Sequence, residues 1–296
     1  MIQKKQVVSV LNKHKKRDDW FLDDYSINPY EGCSCNCLYC YVRGSKYGEN
    51  MGEGLIVKEN ALPVLEKQLQ SRVRRCQYGI VAVGSATDAY IQHEKDWKIT
   101  EGMLQLLLKY RFPVFISTKC NLITRDIELL KAIDKAAILP GDLKQTLKRG
   151  VILSVSISTM NEKIASILEP GTIPPLQRLQ LVQHLKNEGF LTGINAIPLL
   201  PYISDSTEAI EQIISSAKAF NADYLLAGGL TLFGSAKADS KTLYYRFLQK
   251  YDPALIPAYD KLYGDNHYTQ RQYQLELRNR THQLCAKYGI RTSIIE

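Results

Sequence analysis

Asn28-Pro29-Tyr30-Glu31-Gly32-Cys33-Ser34-Cys35-Asn36-Cys37-Leu38-Tyr39-Cys40-Tyr41 sets four cysteines within eight residues, at the end of a short β-rich run at 25–28. The main spacing is C-x3-C-x2-C, at Cys33, Cys37 and Cys40. Thiolates this close, on one loop, suit an iron–sulfur cluster. Three ligands on a four-iron cube leave one iron open, and an open coordination position marks a reactive metal site rather than a structural one. Cys35 is a possible fourth ligand, but it would close that iron. A structural zinc site is the plainer reading. It usually takes paired C-x2-C knuckles far apart in sequence, and His93, His184, His267 and His282 show no such spacing.

The rest of the chain alternates around this loop. Further β-rich runs lie at 79–83, 113–117, 151–157, 191–197 and 224–227, with helical patterns at 58–72, 99–110, 125–137, 174–188 and 205–220. Leu104, Leu107 and Leu108 repeat at helical spacing, and prolines 174 and 175 suit a first helical turn. Strands alternating with helices give βαβ units and a parallel sheet. Six units fit a partial (β/α)6 barrel of the TIM type; a doubly wound open sheet is the alternative. From about residue 236 the alternation gives way to tyrosine-rich helical patterns, closed by a short strand at 291–295. The expected organisation is a basic N-terminal arm at 1–20, a partial barrel at 21–235 and a helical extension packed on it at 236–296.

With 296 residues, 45% of them hydrophobic and 23% charged, the composition is that of a globular protein with a sizeable core. No window approaches the roughly 18 apolar residues of a membrane span, and no signal-like stretch opens the sequence. With seven cysteines, four of them clustered, this predicts a reduced, cytoplasmic setting rather than a disulfide framework. The net charge of +8 favours an anionic partner. Residues 1–17 carry six Lys or Arg and no acid, which reads as a solvated, partly mobile arm. Arg72, Arg74 and Arg75 suit the end of a helix. Cys76 and Cys285 fall in helical patterns as packing residues. No P-loop, Rossmann fingerprint or nucleophile elbow is present.

The cysteine spacing after the first strand of a βα-repeat chain resembles the radical S-adenosylmethionine (SAM) superfamily. The longer string N-P-Y-x-G-C-x3-C-x-Y-C-Y resembles its branch related to spore photoproduct lyase, the "DNA repair photolyase" group. Thr87-Asp88-Ala89-Tyr90 with Glu94, Thr118-Lys119-Cys120 with Arg125-Asp126, and Glu169-Pro170 with Arg178 resemble further elements of that branch. The resemblance covers about residues 24–235. Cys35, Ala89 and Cys120 depart from it, standing where the branch has His, Pro and Ser. It implies a [4Fe–4S] cluster whose open iron binds the amino and carboxylate groups of SAM. One electron from the reduced cluster would split the sulfonium, giving methionine and a 5′-deoxyadenosyl radical that takes a hydrogen atom from the substrate. It also implies an electron donor such as flavodoxin or ferredoxin, and a DNA substrate. A tRNA, peptide or small-molecule substrate is the alternative. A non-catalytic, metal-stabilised nucleic-acid-binding protein is the alternative of another class.

Candidate site residues follow from strand ends, which a barrel gathers on one face. Asp88, Lys119, Ser156, Asn195, Gly228 and Gly229 fall there, and the two glycines would let backbone approach a ligand. Each also suits ordinary turn chemistry. Arg178 would suit the SAM carboxylate by bidentate pairing, or a salt bridge on a helix surface. Tyr39 is a candidate for the cofactor wall and equally a core aromatic. Tyr41 matches the tyrosine implicated in hydrogen-atom return in spore photoproduct lyase. Cys120 is a second candidate hydrogen-atom donor, or a plain loop residue.

Overall fold

The structure, a computed structural model, describes residues 2–48 and 54–295. The chain opens with β1 (Ile2–Lys5), β2 (Asn12–Lys13), β3 (Tyr25–Ile27), β4 (Tyr30–Glu31) and β5 (Leu55–Lys58). There follow α1 (Ala61–Arg74), β6 (Val81–Val83), α2 (Glu94–Trp97), α3 (Ile99–Lys109), β7 (Val114–Thr118) and α4 (Ile127–Ala136). Next come β8 (Val151–Ser156), α5 (Glu162–Leu168), α6 (Pro175–Asn187), β9 (Leu191–Leu199), α7 (Thr207–Ala219) and β10 (Leu225–Gly229). The last elements are α8 (Ser240–Tyr251), α9 (Ile256–Tyr263) and α10 (Arg271–Tyr288).

Six parallel strands stand in the order β3-β6-β7-β8-β9-β10. The order never reverses. A doubly wound sheet needs a reversal, so the chain winds one way around, as in a barrel. It does not close, because β10 and β3 are not paired. The expected partial (β/α)6 architecture is therefore present as an open sheet.

Side-chain alternation along each strand divides the core. On β7, Val114 and Ile116 face the helices while Phe115 faces inward; on β8, Val151, Leu153 and Val155 face the helices. The outer layer is apolar and buried under α1, α3, α4, α6 and α7. Leu65 and Leu69 of α1 are fully buried there, each contributing roughly 1.5–3 kcal/mol. Ser206 caps α7 by accepting from the Ala209 amide at 3.2 Å. The inner face changes character along its length. Its base is apolar, with Ala82, Phe115, Ile152 and Leu226 plugged by Leu22 and Ile294. Its C-terminal end is polar.

Three sequence expectations are corrected. The basic N-terminal arm is not loose: β1 pairs in parallel with β5, and β2 pairs antiparallel with β3. The amides of Val10 and Leu11 donate to Gln68 Oε1, and Asn60 brackets Val7 through both its amide atoms. Backbone pairing thus overrides the high charge. The strand expected at 291–295 is a single bridge from Arg291 to Tyr224, because the chain then bends to drive Ile294 into the inner core. Cys76 lies past the end of α1, exposed and at φ 53°, not in a helix. The tyrosine-rich helices do pack beside the sheet, around Tyr244, Tyr259 and Tyr263, and α10 lies against α7 and β10. Among the described residues no helix is long and apolar enough to cross a membrane.

Gly193 on β9 lets the Tyr224 ring lie flat across the inner face, where a Cβ would enter the ring. Gly193→Ala should therefore cost roughly 1–3 kcal/mol as overpacking. Thermal unfolding should show a midpoint several degrees lower. Gly141→Ala, where a Cβ meets nothing, should leave it unchanged.

Candidate active site

The cysteine loop leaves β3 and is fixed on two sides. On one side, Asn28 reaches across to the end of β6: its Oδ1 accepts from the Ala86 amide at 2.7 Å. Thr87 Oγ1 donates to Gly32 O at 2.7 Å, and the Asp88 amide donates to Cys33 Sγ at 3.4 Å. Gly32 sits at φ +80°, where a Cβ would come within 2.6 Å of Gly54 O, so glycine is required. The Asp88 carboxylate accepts from the Tyr90 amide, Thr118 Oγ1 and the Lys119 amide at 2.7–2.8 Å, tying the end of β6 to the end of β7. Behind this, Tyr30 donates its hydroxyl to Glu94, which is fully buried and paired with Arg125 at 2.9 Å.

On the other side, the Leu38 amide donates to Leu168 O at 2.9 Å and the Gly171 amide to Cys35 O at 3.1 Å. A Cβ on Gly171 would collide with the loop backbone at Ser34. Tyr39 donates its hydroxyl to Glu169 and lies 2.8 Å from Ser158 Oγ. Glu169 forms an ion pair with Arg178 at 2.5 Å, both side chains 1% exposed. Arg178 spends its other donors on Ser156 O, Ile173 O and Thr172 Oγ1. Burial pushes the Glu169 carboxyl up, and Arg178 opposes that shift.

Between these anchors and the strand ends lies a cavity of about 740 Å³. Cys33, Cys37, Cys40, Tyr39, Tyr41, Asp88, Lys119, Ser156 and Asn195 all line it. Three of the expected residues do not. Arg178 is sealed behind the Glu169 pair, on neither the cavity nor the helix surface, since its donors are consumed by the loop's own framework. Gly228 is buried under the Trp20 ring, and its neighbour Gly229 faces the cavity instead. Cys120 turns toward Cys35, with 3.7 Å between the sulfurs. Tyr39 does reach the cavity, but its hydroxyl is committed to Glu169 and Ser158.

The polar end of the inner face is a hydrogen-bonded row. Asn195 Nδ2 donates to Ser117 Oγ at 2.8 Å, and Ser117 Oγ lies 3.1 Å from Ser156 Oγ. Asn195 Oδ1, on a residue 4% exposed, has no partner among the described residues. A buried orphan acceptor costs about 1–3 kcal/mol unless something donates to it. The Lys119 ammonium likewise has no partner among the described residues, whereas the rim cations Lys16 and Arg17 are paired with Asp19, Asp24 and Asp142. Burial pushes the Cys37 and Cys40 thiols up, and the contact with Cys35 followed by burial does so for Cys33. Such thiols ionise when a cation takes the place of their protons. Ser117, Gly171 and the Trp20–Phe21 turn are site residues that the motif reading did not single out, whereas Gly229 is an expected strand-end residue that does line the cavity. The alternation inside strand 113–117 pointed to Ser117, and no sequence signal pointed to Trp20.

Removing one partner of the Glu169–Arg178 pair leaves the other charge buried. Arg178→Met should cost about 3–5 kcal/mol. Denaturant unfolding should show this. Tyr39→Phe, which removes one donor from the carboxylate, should cost about 1–3 kcal/mol.

The comparisons with known proteins agree with this geometry. Residues 27–214 match the family model described as Radical SAM superfamily. An uncharacterized protein of Mycobacterium tuberculosis is 29% identical over 272 residues, covering 90% of this chain and 75% of that protein. An uncharacterized protein of Methanocaldococcus jannaschii is 28% identical over 204 residues, covering 68% of each. Among solved structures, a cysteine-to-serine mutant of spore photoproduct lyase superposes with a TM-score of 0.63 at 14% identity, covering 96% of this chain and 79% of that one. A double mutant of that lyase with bound AdoMet and dinucleoside spore photoproduct gives 0.62 at 14% identity, covering 97% and 78%. The reading as a non-catalytic metal-stabilised protein is set aside by the family match. SAM and an iron–sulfur cluster are what that family implies. The chain belongs to the radical SAM superfamily and is an enzyme of that class.

Proposed function

We propose that Cys33, Cys37 and Cys40 hold a [4Fe–4S] cluster with one iron left for SAM, and that the radical so formed acts on DNA. One observation carries the cofactor part. Three thiols on one loop share a cavity with an ammonium, Lys119, and a buried acceptor, Asn195 Oδ1, neither of which has a partner among the described residues. The donor set fits the groups. The thiols are free of disulfides, and Cys33 Sγ already receives a backbone N–H at 3.4 Å, the kind of bond that tunes a cluster sulfur. Bound together, cluster and SAM supply a 5′-deoxyadenosyl radical.

The chain's own residues do the rest. Lys119 pairs with the SAM carboxylate by charge. Asn195 Oδ1 accepts an N–H or O–H from the ligand. Gly229 lets the ligand approach the end of β10. Asp88, which accepts from three donors, holds the ends of β6 and β7 together. Ser156 extends the Ser117–Asn195 row. Tyr39 and Arg178 keep the cysteine loop in place. Tyr41, 46% exposed and donating to Ser85 O at 2.5 Å, borders the cavity where it can return a hydrogen atom. A flavodoxin- or ferredoxin-type protein supplies the electron.

The net charge of +8 and the fold shared with spore photoproduct lyase support DNA as substrate. Because Lys16 and Arg17 are already paired, few rim cations remain for phosphate. The slope of log affinity against log salt should be shallow, about −3, as for three or so phosphate contacts. No binding at low salt would remove DNA in favour of a tRNA, peptide or small molecule.

Two variants test the cofactor part after anaerobic loading with iron and sulfide. Cys37→Ala should lose the iron and all 5′-deoxyadenosine production from SAM. Lys119→Met should keep its iron but weaken SAM binding about tenfold or more, the worth of one charged hydrogen bond. Unchanged SAM affinity would remove Lys119 from the site.

A further inference from the structure

Cys35 and Cys120 are the two thiols near the site that are not assigned to the cluster, although Cys35 also touches Cys33. Cys35 is buried in the middle of the cysteine loop, and Cys120 is half-buried in the first position after Lys119, beyond the end of β7. They are 85 positions apart, yet their sulfurs face each other at 3.7 Å. Asp88 completes a triangle with them, all ligating atoms lying within 4.8 Å. That carboxylate already accepts from Thr118 and from the Tyr90 and Lys119 amides, which hold it in place at the strand ends, and the covalent chemistry open to the group is sulfur's. Cys35 also lines the cavity, so a small oxidant that enters the cavity reaches this pair.

We propose that Cys35 and Cys120 are a modification site: a dithiol that closes to an intramolecular disulfide on two-electron oxidation by a small peroxide. The proposal rests on the reading of Cys33, Cys37 and Cys40 as the cluster ligands. In the first step one thiol takes oxygen from hydrogen peroxide, giving a sulfenic acid and water. The second thiol then attacks that sulfur, forming the S–S bond and releasing a second water. Two thiols are oxidised and one peroxide is reduced, with every proton ending in water. The sulfurs start near van der Waals contact, at 3.7 Å, and must close by roughly 1.6 Å to reach a disulfide bond. The bond would tie the cysteine loop to the end of the third strand of the barrel, across the Asp88 corner. Cluster-bound thiolates are held by iron, which leaves Cys35 on the cavity wall, with Cys120 behind it, as the free thiols of the site. A dithiol reductant would reopen it.

The test uses the full chain loaded with its iron, in a Cys76→Ser background that removes the exposed thiol. After brief peroxide treatment and alkylation, trypsin digestion without reductant should join peptide 18–43 to peptide 120–125. The joined mass should lack two hydrogens, and dithiothreitol should separate it. Cys35→Ser and Cys120→Ser should each abolish the cross-link while keeping iron content and circular dichroism at the parent level. A cross-link that survives in Cys35→Ser would assign the bond to another cysteine of the loop and overturn the proposal. Absence of any cross-link with iron intact would overturn it while leaving the three-ligand reading in place. Loss of iron from Cys35→Ser, in step with Cys37→Ala, would make Cys35 a ligand and overturn both.

Discussion

A carboxylate and a guanidinium meet at 2.5 Å where no water reaches, and the cysteine loop hangs from that pair. Glu169 takes the Tyr39 hydroxyl from inside the loop, and Arg178 takes Ser156 O from the end of β8. One buried ion pair thus connects the cysteine loop to the sheet. Such a pair is poor evidence of net stability, since desolvation offsets much of the attraction. Its value is placement. Arg178 satisfies three further acceptors, which fixes the connection between α5 and α6 and, through Gly171 and Leu168, the backbone of the loop itself. The Tyr30–Glu94–Arg125 network does the same on the opposite flank. A loop without regular structure keeps three thiols on one cavity because both of its ends are pinned.

The topology supplies the rest of the site. Single-direction winding brings six C-terminal strand ends to one edge, and period-two alternation points Ser117, Ser156 and Asn195 inward at the same level. Because β10 and β3 do not pair, one flank lacks a strand. The Trp20–Phe21 turn occupies it, Phe21 packing on Phe115 with ring centroids 5.0 Å apart and Trp20 on Gly228. The N-terminal segment therefore belongs to the wall of the cavity as well as to the two sheets.

Much of this was legible in the sequence. The C-x3-C-x2-C spacing named the loop, and strand–helix alternation gave the six units. The residues at 87–94, 118–126 and 169–178 were also visible as motif pieces, but their roles were not. A motif shows that a residue is needed, not whether it touches a ligand or holds the residue that does. Arg178 and Tyr39 look like ligand contacts in one dimension and prove to be joined through Glu169 in three. The charge of residues 1–17 suggests a free arm because sequence does not show that β5, 53 residues later, offers an edge for pairing. The contact between Cys35 and Cys120 depends on the register of the whole sheet, which no local pattern encodes.

The most direct test of the central claim, an open iron facing a SAM pocket, is electron paramagnetic resonance of the dithionite-reduced protein with and without SAM. An open iron bound by SAM predicts a [4Fe–4S]⁺ signal whose g values shift on addition of SAM. A signal that stays the same at saturating SAM would mean that the cluster is closed, and would contradict the account.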